Sequence, residues 1–305
     1  MKGRIRGTSG DGDRMKAAAL LGDIGGTNSR FARVDPGAGS DSAIRDSLLI
    51  RNDDFPDTRA LFDHVLGQFG PVDQAVIAAA GPVRGGRVAL ANRDWQLDQA
   101  ELQARIGGPV RLMNDLAAHV LAVPDLGPGD ARILRGPKAD QPGNGQWLVV
   151  NLGTGFNAGL GLHVAGRPVS PAAEWGMTAL PRPVAQVLEA EGLTPPAMLD
   201  DLFSGRGLSW LGNQVTDPQG VMTRALARML QVLITGTLPL DGVHLCGGVA
   251  AALFPATGPQ DTTRQLIGAL NGADYRYPFL RHVPVAILDA PDVALIGCRA
   301  ALPRD

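Results

Sequence analysis

Three glycine-bearing turns and one polar pair carry most of the chemistry this chain could perform. Asp23 precedes Gly25-Gly26-Thr27-Asn28, Asn151 precedes Gly153-Thr154-Gly155, Gly247-Gly248 ends an apolar run, and Asn114-Asp115 ends another. Successive backbone N–H groups in a glycine turn converge on one point, and the missing side chains let a phosphate come close. Two such turns can hold a polyphosphate from opposite sides, with the Thr27 and Thr154 hydroxyls as further donors. A purely conformational reading, in which Gly25 and Gly26 supply positive φ, explains the glycines but leaves Asp23 without a purpose. A carboxylate there suits a phosphate-bound Mg²⁺ or its waters, because Mg²⁺ usually keeps waters and takes one or two carboxylates.

The elements that must position these residues follow from hydrophobic periodicity. Residues 17–22 form a short apolar run and 29–34 alternate, which makes 25–28 the turn of a β-hairpin. Residues 83–84 and 87–89 flank Gly85-Gly86, a second hairpin signal. The run from Pro109 reads as a strand that ends at Asn114-Asp115 and opens a helix, the place where α/β proteins put ligands. Residues 124–145 are rich in Gly, Pro and Asp and read as a linker between two lobes. From Gln146 a strand, a Gly-Thr-Gly turn and another strand repeat the opening pattern, which suggests duplicated lobes facing one another. Helical spacing is expected over 184–191 and 221–238, with Leu226, Met229, Leu230 and Leu233 on one face of the latter. The segment from Asp289 should end the chain as a helix with an aspartate capping its N-terminus.

Bulk properties exclude several classes. At 305 residues the chain exceeds one compact core, so two lobes are expected. Its 45% hydrophobic and 19% charged residues are those of a folded globular protein. A net charge of −2 gives no basic excess for nucleic acid or an anionic membrane. Cys246 and Cys298 sit in apolar runs without CxxC or Cys/His spacing, pointing to a reducing cytoplasm, and the five histidines show no ligand spacing. Residues 1–14 lack the apolar centre of a signal peptide and read as a flexible extension before Met15. No apolar run is long enough to span a bilayer. No Gly-Lys pair occurs, which removes the P-loop, and no GxGxxG stands in a strand-turn-helix context.

Taken in order, "GDIGGTNSRFA", "AGPVRG", "ANRDW", "MNDLAA", "LGTGFNAG", "FSGRGL" and "VHLCGGV" resemble the motifs of the bacterial glucokinase family, within the actin-like, hexokinase and Hsp70 superfold. The resemblance runs from about Met15 to the C-terminal helix. It implies a two-lobed α/β, actin-like (RNase H-like) fold with an active-site cleft between lobes. Residues 15–124 plus about 290–305 would form the small lobe and 125–289 the large one. It also implies ATP- and Mg²⁺-dependent transfer of the γ-phosphate to the 6-hydroxyl of a hexose, glucose first among them, as at the entry to glycolysis. Asp115 falls where the family has its general base; by residue type alone it reads equally as a helix cap. Asn114 and Glu174 match sugar ligands, Asp200, with Asp201 as its rival, stands one methylene shorter where the family has a further sugar-binding glutamate, and Asn92 could reach the sugar from the small lobe. Gly25, Gly26, Thr27, Asn28, Gly153, Thr154, Gly155, Gly247 and Gly248 match the nucleotide side, where the last pair would let adenosine approach the backbone. Arg30 matches too, with a phosphate or a surface role.

The chain departs from the family at the sugar. Met177 stands where the family has a sugar-binding histidine, Trp175 replaces one of a glycine pair, and Asn157 replaces a glycine after the second turn. Methionine cannot replace an imidazole hydrogen bond, so another hexose is a rival substrate. Trp175 would either stack on a sugar face or pack in the core. From a different class, the chain could be a sugar or nucleotide sensor without catalysis, which would have no need of Asp115. Dimers are common in the family, leaving a homodimer open.

Overall fold

A computed structural model describes residues 18–35, 44, 47–90 and 93–303. The expected extension at 1–14 and the candidate Asn92 lie outside these residues. The first half builds β1 (Ala19–Ile24), β2 (Asn28–Val34), β3 (Ser47–Arg51), α1 (Thr58–Phe69), β4 (Gln74–Ala79), β5 (Val83–Arg84), β6 (Arg87–Ala89), β7 (Gln96–Asp98), α2 (Gln99–Ile106), β8 (Val110–Asn114) and α3 (Asp115–Ala122). The second builds β9 (Ala131–Arg135), β10 (Gln146–Leu152), β11 (Phe156–Val164), β12 (Arg167–Val169), α4 (Arg182–Ala190), α5 (Leu199–Leu202), α6 (Gly205–Gly212), α7 (Pro218–Thr237), β13 (Gly242–Cys246), α8 (Gly248–Leu253), α9 (Asp261–Asn271), β14 (Val285–Leu288) and α10 (Val293–Ala300).

Two sheets repeat one topology. The first has the order β3-β2-β1-β4-β8 and the second β12-β11-β10-β13-β14, with β9 added at its edge. In each, an antiparallel hairpin leads into parallel strands: β1 pairs antiparallel with β2 and parallel with β4, and β10 does the same with β11 and β13. The weak sequence echo between the two glycine turns thus reflects two sheets of the same order. β9 corrects the expectation of a plain linker at 124–145, because Ala131 to Arg135 pair antiparallel with β14. The small sheet β5-β6-β7 starts from a tight hairpin in which Gly85 and Gly86 both take left-handed φ, 56° and 74°, as such two-residue turns require.

Central strands such as β1 are buried on both faces, so they read as continuous apolar runs rather than alternating ones. One face of the first sheet packs Phe31, Ile77 and Leu20 against Leu61, Phe62 and Val65 of α1. On the other face, Leu21, Val76 and Met113 meet Ala118 and Leu121 of α3 and Leu295 and Cys298 of α10. The C-terminal helix therefore returns to the first sheet. On their far side α3 and α10 pack against Trp147 and Val149 of the second sheet, whose own opposite face covers α7 and its neighbours. The helix pair is held close: a Cβ on Gly297 would lie 1.7 Å from the Ala118 carbonyl oxygen. The buried Trp147 indole donates to the Val120 carbonyl at 2.8 Å, fixing the second sheet to α3. The expected aspartate cap of α10 does not form: Asp292 stands at the N-cap but makes no side-chain capping bond, and its carboxylate takes Arg30 instead at 2.8 Å.

Candidate active site

Asp23 is the last polar residue of β1 before the first glycine turn, in register with Arg30 on β2 and Ala78 on β4. The Gly25 N–H closes the turn onto the Asn28 carbonyl at 3.0 Å. Neither Gly25 nor Gly26 takes positive φ, which corrects the conformational reading. What Gly25 provides is room, since a Cβ there would stand 3.1 Å from the Asn28 oxygen. Thr27 and Asn28 at the tip are exposed.

The second turn is tied from behind. Gly153 N–H donates to the Gly155 carbonyl, and Gly205 N–H donates to that of Gly153, both at 2.9 Å. Asp200 accepts from Phe156 N–H at 2.6 Å and from Arg206 at 2.8 Å, and a Cβ on Gly155 would stand 2.6 Å from the same carboxylate. Asp200, not the exposed Asp201, thus faces the turn, with both oxygens already engaged. Gly247 comes up beside Gly153 with φ +96°. A Cβ there would lie 2.3 Å from the Leu152 oxygen and 2.6 Å from Asn151 Oδ1, so only glycine fits; Gly248 beside it is open and exposed.

In the first sheet, β8 leads directly into α3. Asn114 is the N-cap: its Oδ1 accepts from Leu116 N–H at 3.0 Å and Ala117 N–H at 3.4 Å, while Nδ2 donates to the Gly81 carbonyl at 3.1 Å. The capping role belongs to Asn114, and Asp115 is the first helical residue, its Oδ1 accepting from Leu116 N–H at 2.8 Å. His119, one helical turn further, places Nδ1 2.9 Å from the Asp115 carbonyl oxygen.

This corner concentrates charge. Burial pushes the Asp23 carboxyl up to about 6; His119 opposes the shift, the neighbouring Asp115 carboxylate adds to it, and Arg30 opposes it. Asp115 is likewise raised by burial and pulled back by His119 and by the Leu116 N–H. Glu174, in the loop before a short helical turn, is raised by partial burial and then by Asp115 and Asp200. Electrostatic reach thus links Asp23 to Asp115, and Glu174 to both Asp115 and Asp200. Asn157 orients the Glu174 loop, donating to Glu174 Oε2 at 3.1 Å and the Ala173 carbonyl at 3.0 Å and accepting from Trp175 N–H at 3.0 Å. Trp175 packs against the large core, and Met177 is 67% exposed. A cavity of about 790 Å³ opens beside the cluster, touching Pro82, Asn114, Gly159 and Glu174; Asp23 and both glycine turns lie outside it.

Arg30 turns from the phosphate turn towards Asp292, so its contribution is to the field at Asp23 and to anchoring α10. Sequence patterns did not single out His119, nor the bracing role of Asn157. The spacing of four from Asp115 on a helix could have flagged the first; nothing local pointed to the second. Asp23 accepts no protein hydrogen bond among the described residues, and no cluster of three ligating side chains is found there. A single unsatisfied carboxylate fits a Mg²⁺ whose other ligands are phosphate oxygens and water.

Two sheets of one order, joined by α3 and α10 with carboxylates and glycine turns at their facing ends, define a hexokinase-type phosphotransferase of the actin-like fold. A glucokinase from an Antarctic psychrotroph superposes with a TM-score of 0.78 at 22% identity, covering 94% of this chain and 98% of that one. A ROK-family glucokinase from Streptomyces griseus, solved with glucose and AMPPNP, gives 0.56 at 19% identity, covering 92% and 98%. The sequence model of the Glucokinase family matches residues 20–228. The glucokinase of Caulobacter vibrioides (strain NA1000 / CB15N) is 31% identical over 96% of this chain and 97% of its own length. The chain belongs to the Glucokinase family.

Proposed function

We propose that this protein transfers the γ-phosphoryl group of ATP to the 6-hydroxyl of glucose, with Asp115 as the general base. The observation that carries the reading is the Asp115 carboxylate at the head of α3, raised by burial, with the N-cap position left to Asn114 and with Asp23 and Glu174 both within its electrostatic reach. A carboxylate in this position orients the sugar hydroxyl and takes its proton as the phosphoryl group moves. Its elevated pKa brings its basicity closer to the working pH. Glu174, held by Asn157, accepts from sugar hydroxyls, and the remaining N–H of Asn114 adds a donor. Asp200 braces the second phosphate turn through the Phe156 N–H. The N–H groups of Gly26, Thr27 and Thr154 face the phosphates, and Gly247-Gly248 gives adenosine its approach. Asp23 would hold Mg²⁺ through water, and the ion would neutralise charge on the β- and γ-phosphates. ATP as donor and two buried free thiols suit a cytoplasmic enzyme; among the described residues no helix is long and apolar enough to cross a membrane.

Met177 favours a second reading, a kinase for another hexose, because this exposed side chain offers no imidazole donor. ADP formation with Mg²⁺ over a panel of hexoses decides between them. Turnover on glucose supports the first reading and turnover confined to another sugar the second. ATP binding without turnover on any sugar would leave a sensor.

A further inference from the structure

Only four polar residues are fully buried among those described, and two of them, Ser29 and Asn52, lie directly beneath the first glycine turn. From the geometry we infer that Asn52, just after β3, is the positioning residue that aims the turn's N–H groups at the nucleotide; this rests on the kinase reading above. Asn52 Nδ2 donates to the carbonyl oxygens of Gly25 at 2.8 Å and Gly26 at 3.2 Å, and its own backbone N–H donates to that of Thr27 at 2.9 Å. One residue therefore holds three consecutive carbonyls on the buried side. In a trans peptide the C=O and the following N–H point in opposite directions, and no cis bond occurs among the described residues. The N–H groups of Gly26, Thr27 and Asn28 are thereby turned to the exposed side, and those of Gly26 and Thr27 meet no protein acceptor there. Consecutive outward N–H groups form an anion-binding concavity.

The orientation of the amide is itself fixed. Ser29 Oγ donates to Asn52 Oδ1 at 2.6 Å, so the NH₂ end must face the glycine carbonyls; reversed, an oxygen would oppose two oxygens. Arg93 secures the other side, donating to the Asn52 carbonyl at 2.8 Å and to Asp53 at 2.7 Å while its guanidinium lies 4.1 Å over the Trp95 ring. Asn52 touches no substrate in this arrangement; it acts through the peptide planes it holds.

The test compares two affinities in Asn52→Ala and Ser29→Ala: AMPPNP with Mg²⁺ by calorimetry, and glucose by intrinsic fluorescence. Losing two neutral hydrogen bonds should weaken AMPPNP binding about tenfold in Asn52→Ala, and the single bond lost in Ser29→Ala about threefold. Glucose affinity should stay within about twofold, because the turn's hydrogen bonds lie on the nucleotide side. Unchanged AMPPNP affinity in a folded variant overturns the inference, as does a parallel loss of both affinities, which marks general destabilisation. Should Asn52→Ala not fold, the milder Ser29→Ala decides the question through the same two affinities. Wild-type protein that binds no AMPPNP refutes the kinase reading itself, whereas normal wild-type binding with insensitive variants refutes only the role of Asn52.

Discussion

Asp115→Asn separates chemistry from architecture at the head of α3. The helix keeps its cap, since Asn114 supplies the bonds to Leu116 and Ala117, and an asparagine at 115 retains an oxygen for the Leu116 N–H. Removing a negative charge from a helix N-terminus costs about 0.3–1 kcal/mol. Against this, the variant removes a carboxylate that burial disfavours and that repels Asp23. These effects are of similar size and opposite sign, so stability should change by no more than about 1 kcal/mol. Catalysis should respond on another scale. Loss of a positioned general base costs about 10²–10⁴-fold in kcat, about 3–5 kcal/mol of barrier. ADP release at saturating ATP and glucose measures kcat, intrinsic fluorescence measures glucose affinity, and thermal unfolding guards against misfolding. The wild-type rate should also fall as pH drops through the raised Asp115 pKa, and that contribution should be lost in the variant, leaving only the acid limb set by Asp23. A variant that folds, binds both substrates and turns over within tenfold of wild type would reduce Asp115 to a helix-terminal charge.

Gly247→Ala should raise the ATP KM or prevent folding, because its Cβ would overlap the Leu152 carbonyl and φ is +96°; a variant with unchanged KM and thermal midpoint would contradict the close approach at the nucleotide turn. His244 on β13 has both ring nitrogens buried without a hydrogen-bond partner among the described residues, and burial lowers its pKa from 6.5 to about 4. Below pH 6.5 the unfolded chain binds this proton and the native one does not, so stability should fall between pH 6.5 and 4 by at most about 3 kcal/mol. The stability difference between His244→Leu and wild type should widen over that window in denaturant titrations; a pH-independent difference would refute the assignment. Met177→His should lower the glucose KM about threefold to tenfold by restoring one hydrogen bond, and an unchanged KM would place that side chain outside the sugar site.

Much of the fold was legible because its signals are local. Glycine turns between apolar runs marked both hairpins, and a strand ending in Asn-Asp before a helical pattern located the head of α3. The strand β9 was not legible: its composition is that of a loop, and only pairing with β14 makes it a strand. The fate of Asp292 was equally hidden, since Arg30 lies 262 residues away in sequence. At the candidate site, residue types suggested the glycine turns and the Asn114-Asp115 pair and the family resemblance added Glu174, but the division of labour between Asn114 and Asp115, or between Asp200 and Asp201, depends on which way each side chain turns.

The sequence alone determined what each short stretch could do: close a turn without side chains, present a carboxylate beside it, start a helix after a strand. Those properties reside in single residues and their immediate neighbours. Tertiary structure decided which stretches meet. Packing of α3 and α10 between two sheets sets Asp115 within electrostatic reach of Asp23 and Glu174; burial raises the pKa of all three, and the Asp115 carboxylate adds to the rise at the other two. Desolvation and Coulomb coupling depend on distances between residues far apart in the chain, which no local pattern encodes.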